Sequence, residues 1–482
     1  MLLLEKNERD KLWRAVQEAV ERYTEGVGRA RVSPPLDPAK LRSELAAYDF
    51  ETPVTPGDAV DFTVRNLWEN QLHVSHPGYF GMFNPAPSTM GIAAETLAAG
   101  FNPQLAAWSH SPWAAEVDRH VVHALGRKFG YPENCIDGTL CNGGWEANHT
   151  AVLTALVRHF PEYAEEGARA LPAQPVLYVT RESHDTFKKT ARLTGLGSRA
   201  VVTILTNDAL RMDTGALRKQ VQQDKSQGRA PFLVVATLGT TAAGIIDPVA
   251  TIADIAEQEG LWLHADAAWG GAAVLSPELR GVLEGVERAD SITFDAHKWF
   301  SVPMTAGVFL TRHTEILEKT FRVSQSYMPR EAEGLDIQDP FAHSMQWSRR
   351  FLGLKIFLSL AVAGWQGYAE AVGHMHKMGG LLKQKLEEQG WKLVNQTPLP
   401  LACFVDGTRE DGATGEYLEA VAAHVLASGK AWISVPRIGS KSPDDPGTPC
   451  LRACITNHRV EPKDLDNLLT TLGHARQEVP KV

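Results

Sequence analysis

A lysine closes a short apolar run at Ser291-Ile292-Thr293-Phe294-Asp295-Ala296-His297-Lys298-Trp299. A position between His297 and Trp299 suits a solvated ammonium poorly. A desolvated amine is instead a nucleophile that condenses with carbonyl compounds to give an imine. Asp266 lies 32 residues upstream and closes a second apolar run, Leu261-Trp262-Leu263-His264-Ala265-Asp266. That separation is about one strand-helix-strand unit. A carboxylate at a buried strand end is costly unless it meets a positive partner, and a protonated pyridine nitrogen would serve. Two further segments could take part. Gly143 and Gly144 open a helical pattern, where unpaired backbone N–H groups favour phosphate. His184 follows another apolar run and could stack on a ring or move protons.

Each feature alone admits a plainer reading. Lys298 can bury its stem and extend its head to water. Asp266 can cap the next helix. The glycine pair can be a turn capped by Asn142, and His184 can be an ordinary loop residue. Their order and separations are what carry the argument.

These residues need elements to position them. Runs at 176–179, 232–236, 261–265 and 291–294 read as buried strands. Helical periodicity between them, as over 247–259, predicts a largely parallel sheet covered on both faces. Ligands bind such sheets at the carboxyl ends of the strands. Before this region, 8–26 reads as an amphipathic helix, and 76–87 as irregular backbone rich in Pro, Gly and aromatics. After it, 344–390 reads as a long helical stretch. A smaller unit follows, with helices near 414–428 and 462–477 and strands at 431–434 and 450–456. The expected division is an N-terminal helical arm, 1–90, that packs on a partner subunit, a large domain, 91–370, and a small α/β domain, 371–482.

The 482 residues exceed what one compact core holds. Lys plus Arg is 48 and Asp plus Glu is 57, a net charge of −9. Such a balance leaves no electrostatic footprint for nucleic acid or an anionic membrane. The first residues carry too few apolar side chains to be a signal peptide. No apolar run approaches a membrane span. Cys135, Cys141, Cys403, Cys450 and Cys454 have no C-x-x-C pair, which predicts a reduced, cytoplasmic chain without a metal site.

Taken together, the Gly143-Gly144, His184, Asp266 and His297-Lys298 segments resemble the group II amino acid decarboxylases of fold type I, which use pyridoxal 5'-phosphate. The resemblance covers roughly residues 70–475. It implies a mostly parallel seven-stranded sheet with helices on both faces, a smaller C-terminal α/β domain, and a homodimer with active sites at the subunit interface. It implies that Lys298 forms a Schiff base with the cofactor and that His297 contacts its phosphate. Asp266 would pair with the ring nitrogen, Ala268 would pack under the ring, and His184 would stack above it. Thr241 would approach the ring substituents, and Gly143, Gly144 and Trp145 would offer backbone donors to phosphate. Tyr327, in Ser324-Gln325-Ser326-Tyr327-Met328-Pro329, matches a loop tyrosine that protonates Cα after carbon dioxide leaves. Phe83, Asn84 and Gln104 match side-chain pocket positions, and Arg452 matches an arginine for the substrate carboxylate. Two residues depart from the pattern: Trp145 replaces a Ser or Thr, and Asp295 replaces a common Asn. The pocket stretches hold no basic residue except His76, so the expected substrate is an aromatic or other neutral L-amino acid. An aldehyde synthase, an aminotransferase or an inactive binding homologue are the alternatives.

Overall fold

The structure is a computed structural model that describes residues 2–323, 334–440, 442 and 445–480. Its centre is a seven-stranded sheet. The strands are β1 (Asp137–Cys141), β2 (Pro175–Thr180), β3 (Val201–Ile204), β4 (Ala230–Thr237), β5 (Trp262–Asp266), β6 (Ser291–Asp295) and β7 (Gly307–Thr311). Their order across the sheet is β1-β7-β6-β5-β4-β2-β3. β7 runs antiparallel to both its neighbours, and the other pairings are parallel. The mostly parallel sheet expected from the sequence is therefore present. Its strands bury both faces because side chains alternate across a strand. Val176, Tyr178, Val234 and Ala236 join one apolar cluster. Leu177, Val179, Leu233 and Val235 join the other.

Helices cover both faces. Gly144–His159 lies on the second cluster and presents Ala147, Ala151 and Ala155, whose small side chains let the helix come close to the sheet. Pro112–Phe129 and Val249–Glu259 bury their apolar stripes in the first cluster. A helix from Gly353 to Glu388 also packs there, interrupted at Gly364, where φ is 64°. The expected helix over 344–390 thus begins nine residues late. The preceding backbone is held irregular by Asp118, which accepts from Gly353 N–H at 3.0 Å and pairs with Arg349 at 2.7 Å.

The C-terminal unit has a three-stranded antiparallel sheet of β8 (Trp391–Leu393), β9 (Leu401–Asp406) and β12 (Leu451–Cys454), in the order β12-β9-β8. A short ribbon pairs β10 (Arg437–Ile438) with β11 (Thr448–Pro449). Helices Gly415–Ser428 and Pro462–Glu478 match the periodicity. The strand expected at 431–434 is not one. It makes only single bridges, Trp432 to Tyr79 and Ser434 to Arg452, because Pro436 cuts the run and the arm crosses here.

The N-terminal helices Lys6–Gly26, Pro38–Leu45 and Pro56–Glu69 contain no fully buried residue. Val16, Val20, Tyr23, Val64, Leu67 and Trp68 line an open apolar groove of about 660 Å³.

Candidate active site

β1, β4, β5 and β6 run the same way, so Cys141, Thr237, Asp266 and Asp295 all end at one sheet edge. The turns beyond those ends carry Gly143 and Gly144, Thr241, Ala268, and His297 with Lys298. The topology therefore brings together residues far apart in sequence.

Asp266 is 5% exposed. Its Oδ1 accepts from Ala268 N–H at 3.2 Å, and its Oδ2 accepts from Asn148 Nδ2 at 3.0 Å. Asn148 Oδ1 lies 3.0 Å from His264 Nε2, whose Nδ1 lies 2.8 Å from Ser291 Oγ. Trp262 Nε1 donates to the same Ser291 Oγ at 2.8 Å. The donors run in one direction, from Trp262 through Ser291, His264 and Asn148 to Asp266. That order needs a neutral His264 carrying its proton on Nε2. Burial agrees, since it lowers the His264 pKa to about 4. Asn148 and His264 were not singled out in the sequence. The available signal was that His264 and Asp266 are two apart on one strand and so share a face.

Lys298 Nζ sits 2.8 Å from Asp295 Oδ2, with the lysine side chain 22% exposed and the aspartate 2%. His297 Nε2 is 3.9 Å from the same oxygen. Its Nδ1 accepts from Ala306 N–H at 3.1 Å, which aims Nε2 into the site. Burial lowers the His297 pKa, and Asp295 opposes that shift.

The glycine pair lies against this cluster. A Cβ at Gly144 would be 2.7 Å from Asp295 Oδ2 and 3.3 Å from the Ala268 Cβ. Among the described residues no side chain caps the helix that begins there, and Asn142 bonds to Glu146 instead. First-turn N–H groups are thus left for an anion. Trp145 follows, with its Nε1 buried and without a partner among the described residues, and Lys189 Nζ 4.6 Å from its ring centroid.

Phe83 comes from the arm. Phe80 N–H donates to Trp432 O, Cys454 N–H to Phe80 O, and Arg452 Nη1 to Gly81 O. Gly81 is required there, since a Cβ would meet the Trp432 ring at 2.3 Å. The Phe83 ring stacks on Trp269 at 4.5 Å and lies 5.8 Å from Lys298 Nζ and 5.0 Å from Arg452 Cζ. Arg452 is 2% exposed. Its Nε donates to the carbonyls of Thr241 and Ala242, at 3.1 and 3.2 Å, and its Nη2 is buried without a partner among the described residues. His184, Thr241, Met82 and Arg452 line a cleft of about 870 Å³ between the large sheet and the C-terminal unit. Asn84 stands at the site's edge, its Nδ2 2.9 Å from Met304 Sδ. Gln104 is exposed and is not brought to this cleft within the chain. Tyr327 lies outside the described residues.

The pyridoxal-dependent decarboxylase conserved domain matches residues 47–405. The chain belongs to that family. This group II decarboxylase is a carboxy-lyase that depends on pyridoxal phosphate. It is 28% identical to an aromatic-L-amino-acid decarboxylase of Bacillus atrophaeus, over 93% of this chain and 91% of that one. It is also 28% identical to the cysteine sulfinic acid decarboxylase of Homo sapiens, over 86% and 85% of the two chains. The crystal structure of Oryza sativa TDC with PLP and tryptamine superposes with a TM-score of 0.90, at 24% identity, over 98% of this chain and 99% of that one. The decarboxylase's own residues fit the cofactor. The uncapped helix start and His297 Nε2 suit its phosphate, and Asp266 suits its ring nitrogen. Lys298 supplies an amine, and Gly144 leaves room that a Cβ would fill.

Proposed function

We propose that this enzyme decarboxylates an aromatic or other neutral L-amino acid to the corresponding amine. The observation that carries the reading is the Phe83 ring, whose centroid lies 5.8 Å from Lys298 Nζ and 5.0 Å from Arg452 Cζ. An apolar ring beside the reactive amine favours an apolar side chain. The Arg452 guanidinium is largely committed to backbone carbonyls, so it leaves little for a second, side-chain carboxylate. Its free Nη2 suits the single α-carboxylate common to every amino acid.

The cofactor, once bound, supplies the electron sink for the charge left when carbon dioxide departs. The residues do the rest. Lys298 holds the cofactor through its Nζ, and Asp266 keeps a proton on the ring nitrogen, supported by Asn148. Ala268 and His184 would help to hold the ring, Thr241 would contact it, and Gly143, Gly144, Trp145 and His297 would hold the phosphate. Tyr327 returns a proton to Cα. Phe83, Asn84 and Gln104 shape the side-chain pocket.

The same reading takes residues 1–90 as an arm, 91–370 as the large domain and 371–482 as the small one. It takes the working form as a cytoplasmic homodimer. The open apolar groove along the arm, with Val16 and Val20 exposed, supports a second copy there. All five cysteines are free, which fits a reducing compartment. Among the described residues no helix is long and apolar enough to cross a membrane.

The test is carbon dioxide release over a panel of Phe, Tyr, Trp, Leu, Val, Met, Glu, Asp and cysteine sulfinate. Turnover of an aromatic or neutral substrate with amine as product is the expected result. Turnover confined to the acidic members overturns the substrate assignment. Aldehyde with ammonia, or a keto acid from an added amino donor, overturns the reaction.

A further inference from the structure

We propose that Asp295 takes the proton of the Lys298 ammonium and keeps it while the phosphate-bearing cofactor occupies the site. One proton then meets two needs: it frees the amine as a nucleophile, and it neutralises a carboxylate that would otherwise face a phosphate. The inference rests on the cofactor reading above.

Three observations carry it. Asp295 Oδ2 is in direct contact with Lys298 Nζ at 2.8 Å, which is a proton-transfer distance. Asp295 Oδ1 is buried and has no partner among the described residues, so half of the carboxylate is unsatisfied there. Buried unpaired acceptor atoms are costly. The Oδ2 atom also lies 2.7 Å from where a Cβ of Gly144 would stand, at the first turn of the 16-residue helix Gly144–His159, whose leading N–H groups lack an intrahelical partner. An anion bound by those N–H groups adjoins Asp295. A carboxylate and a phosphate at that separation repel each other, whereas a carboxylic acid donates a hydrogen bond.

The charged and titratable groups around Asp295 do not solve the problem otherwise. His297 Nε2 is 3.9 Å away, and burial lowers its pKa, which disfavours a second cation. Cys141 on β1 is a buried thiol whose pKa burial raises well above its ordinary value. Glu146, on the helix, adds a further acid. Lys355 is the remaining cation near His297, but its Nζ is held by the Pro303 and Thr305 carbonyls and by Glu95. Among the described residues Lys298 is the one cation in direct contact with Asp295.

The step balances. An N–H bond of the ammonium breaks and an O–H bond forms on Asp295. The freed nitrogen pair attacks the aldehyde carbon of the cofactor. A carbon–nitrogen double bond forms, and the aldehyde oxygen leaves as water with the two remaining amine hydrogens. No oxidant or reductant is needed. An asparagine at 295 can neither take nor keep the proton, which must then go to solvent.

The experiment is titration calorimetry of the apoprotein with pyridoxal 5'-phosphate, in two buffers of different ionisation enthalpy. Native protein and Asp295→Asn are compared at the same mildly alkaline pH. The expected result is one more proton released per bound cofactor by Asp295→Asn than by the native protein. Inorganic phosphate should also bind Asp295→Asn about tenfold more tightly, because the repelling carboxylate is gone. Lys298→Ala provides a second measurement that does not depend on the first variant. There Asp295 has no ammonium to draw on, and cofactor docking should take one proton from the buffer. Equal proton counts for native and Asp295→Asn, or no uptake by Lys298→Ala, overturn the proposal. Failure of the cofactor to bind the native protein overturns the cofactor reading instead.

Discussion

Replacing Asn148 by Ala tests whether the chain of donors behind Asp266 matters to the cofactor. The substitution removes the 3.0 Å bond from Nδ2 to Asp266 Oδ2 and the 3.0 Å contact from His264 Nε2 to Oδ1. The first is a bond to a charged acceptor at a 5% exposed site, and such bonds contribute about 1.5–3 kcal/mol. His264 keeps a fallback in Thr293 Oγ1 at 3.3 Å, so most of its loss is recovered. Asp266 has no comparable substitute, because Ala268 N–H is its only other hydrogen-bond donor among the described residues. With a factor of ten per 1.4 kcal/mol, the dissociation constant for pyridoxal phosphate should rise about 10- to 100-fold. Titrating apoprotein with cofactor and following the imine absorbance measures it directly. A variant that stays folded and binds cofactor within about twofold of native refutes the network's role.

Other outcomes follow from the same geometry. Gly144→Ala should fold, since its backbone is helical, but lose cofactor affinity, because the new methyl group would displace Asp295 from 2.7 Å; unchanged affinity in a cofactor titration would contradict this. His264→Gln isolates a pH effect. Burial sets the native His264 pKa at about 4 against an unfolded value near 6.5, so the unfolded chain binds the proton first and stability is lost as pH falls between these values. Denaturant unfolding of apoprotein should show native stability falling by about 3 kcal/mol relative to His264→Gln across that window, and parallel curves would contradict it. Tyr327→Phe should keep the imine spectrum while decarboxylation falls and aldehyde appears. Full decarboxylation without aldehyde in a product assay would remove Tyr327 from its proposed role.

Much of the site could be read from the chain because strand ends are visible in sequence. Lys298, Asp266 and His184 each follow an apolar run, and the sheet turns those runs to one edge. What assembles across elements was less legible. Asn148 lies one helical turn past the glycine pair and His264 lies inside a strand, so neither looked different from core polar residues. In the sequence Asp295 is visible only as a departure from a common Asn, and its contact with Lys298 depends on the tight turn at 295–298. Phe83 was placed by type, but what seats it is a crossing of the arm over Trp432 and β12. That same crossing explains why 431–434 forms bridges rather than a strand. Gln104 is exposed and does not line the cleft within one chain, a position that local sequence could not reveal.

The claim beneath all of this is that Lys298 is the amine that captures the cofactor. Borohydride reduction of the cofactor-loaded protein, followed by peptide mapping, reads that bond directly. The expected result is a pyridoxyl group on the peptide carrying Lys298 and on no other. The same label on Lys355, Lys189 or any other lysine, with Lys298 unmodified, would contradict it.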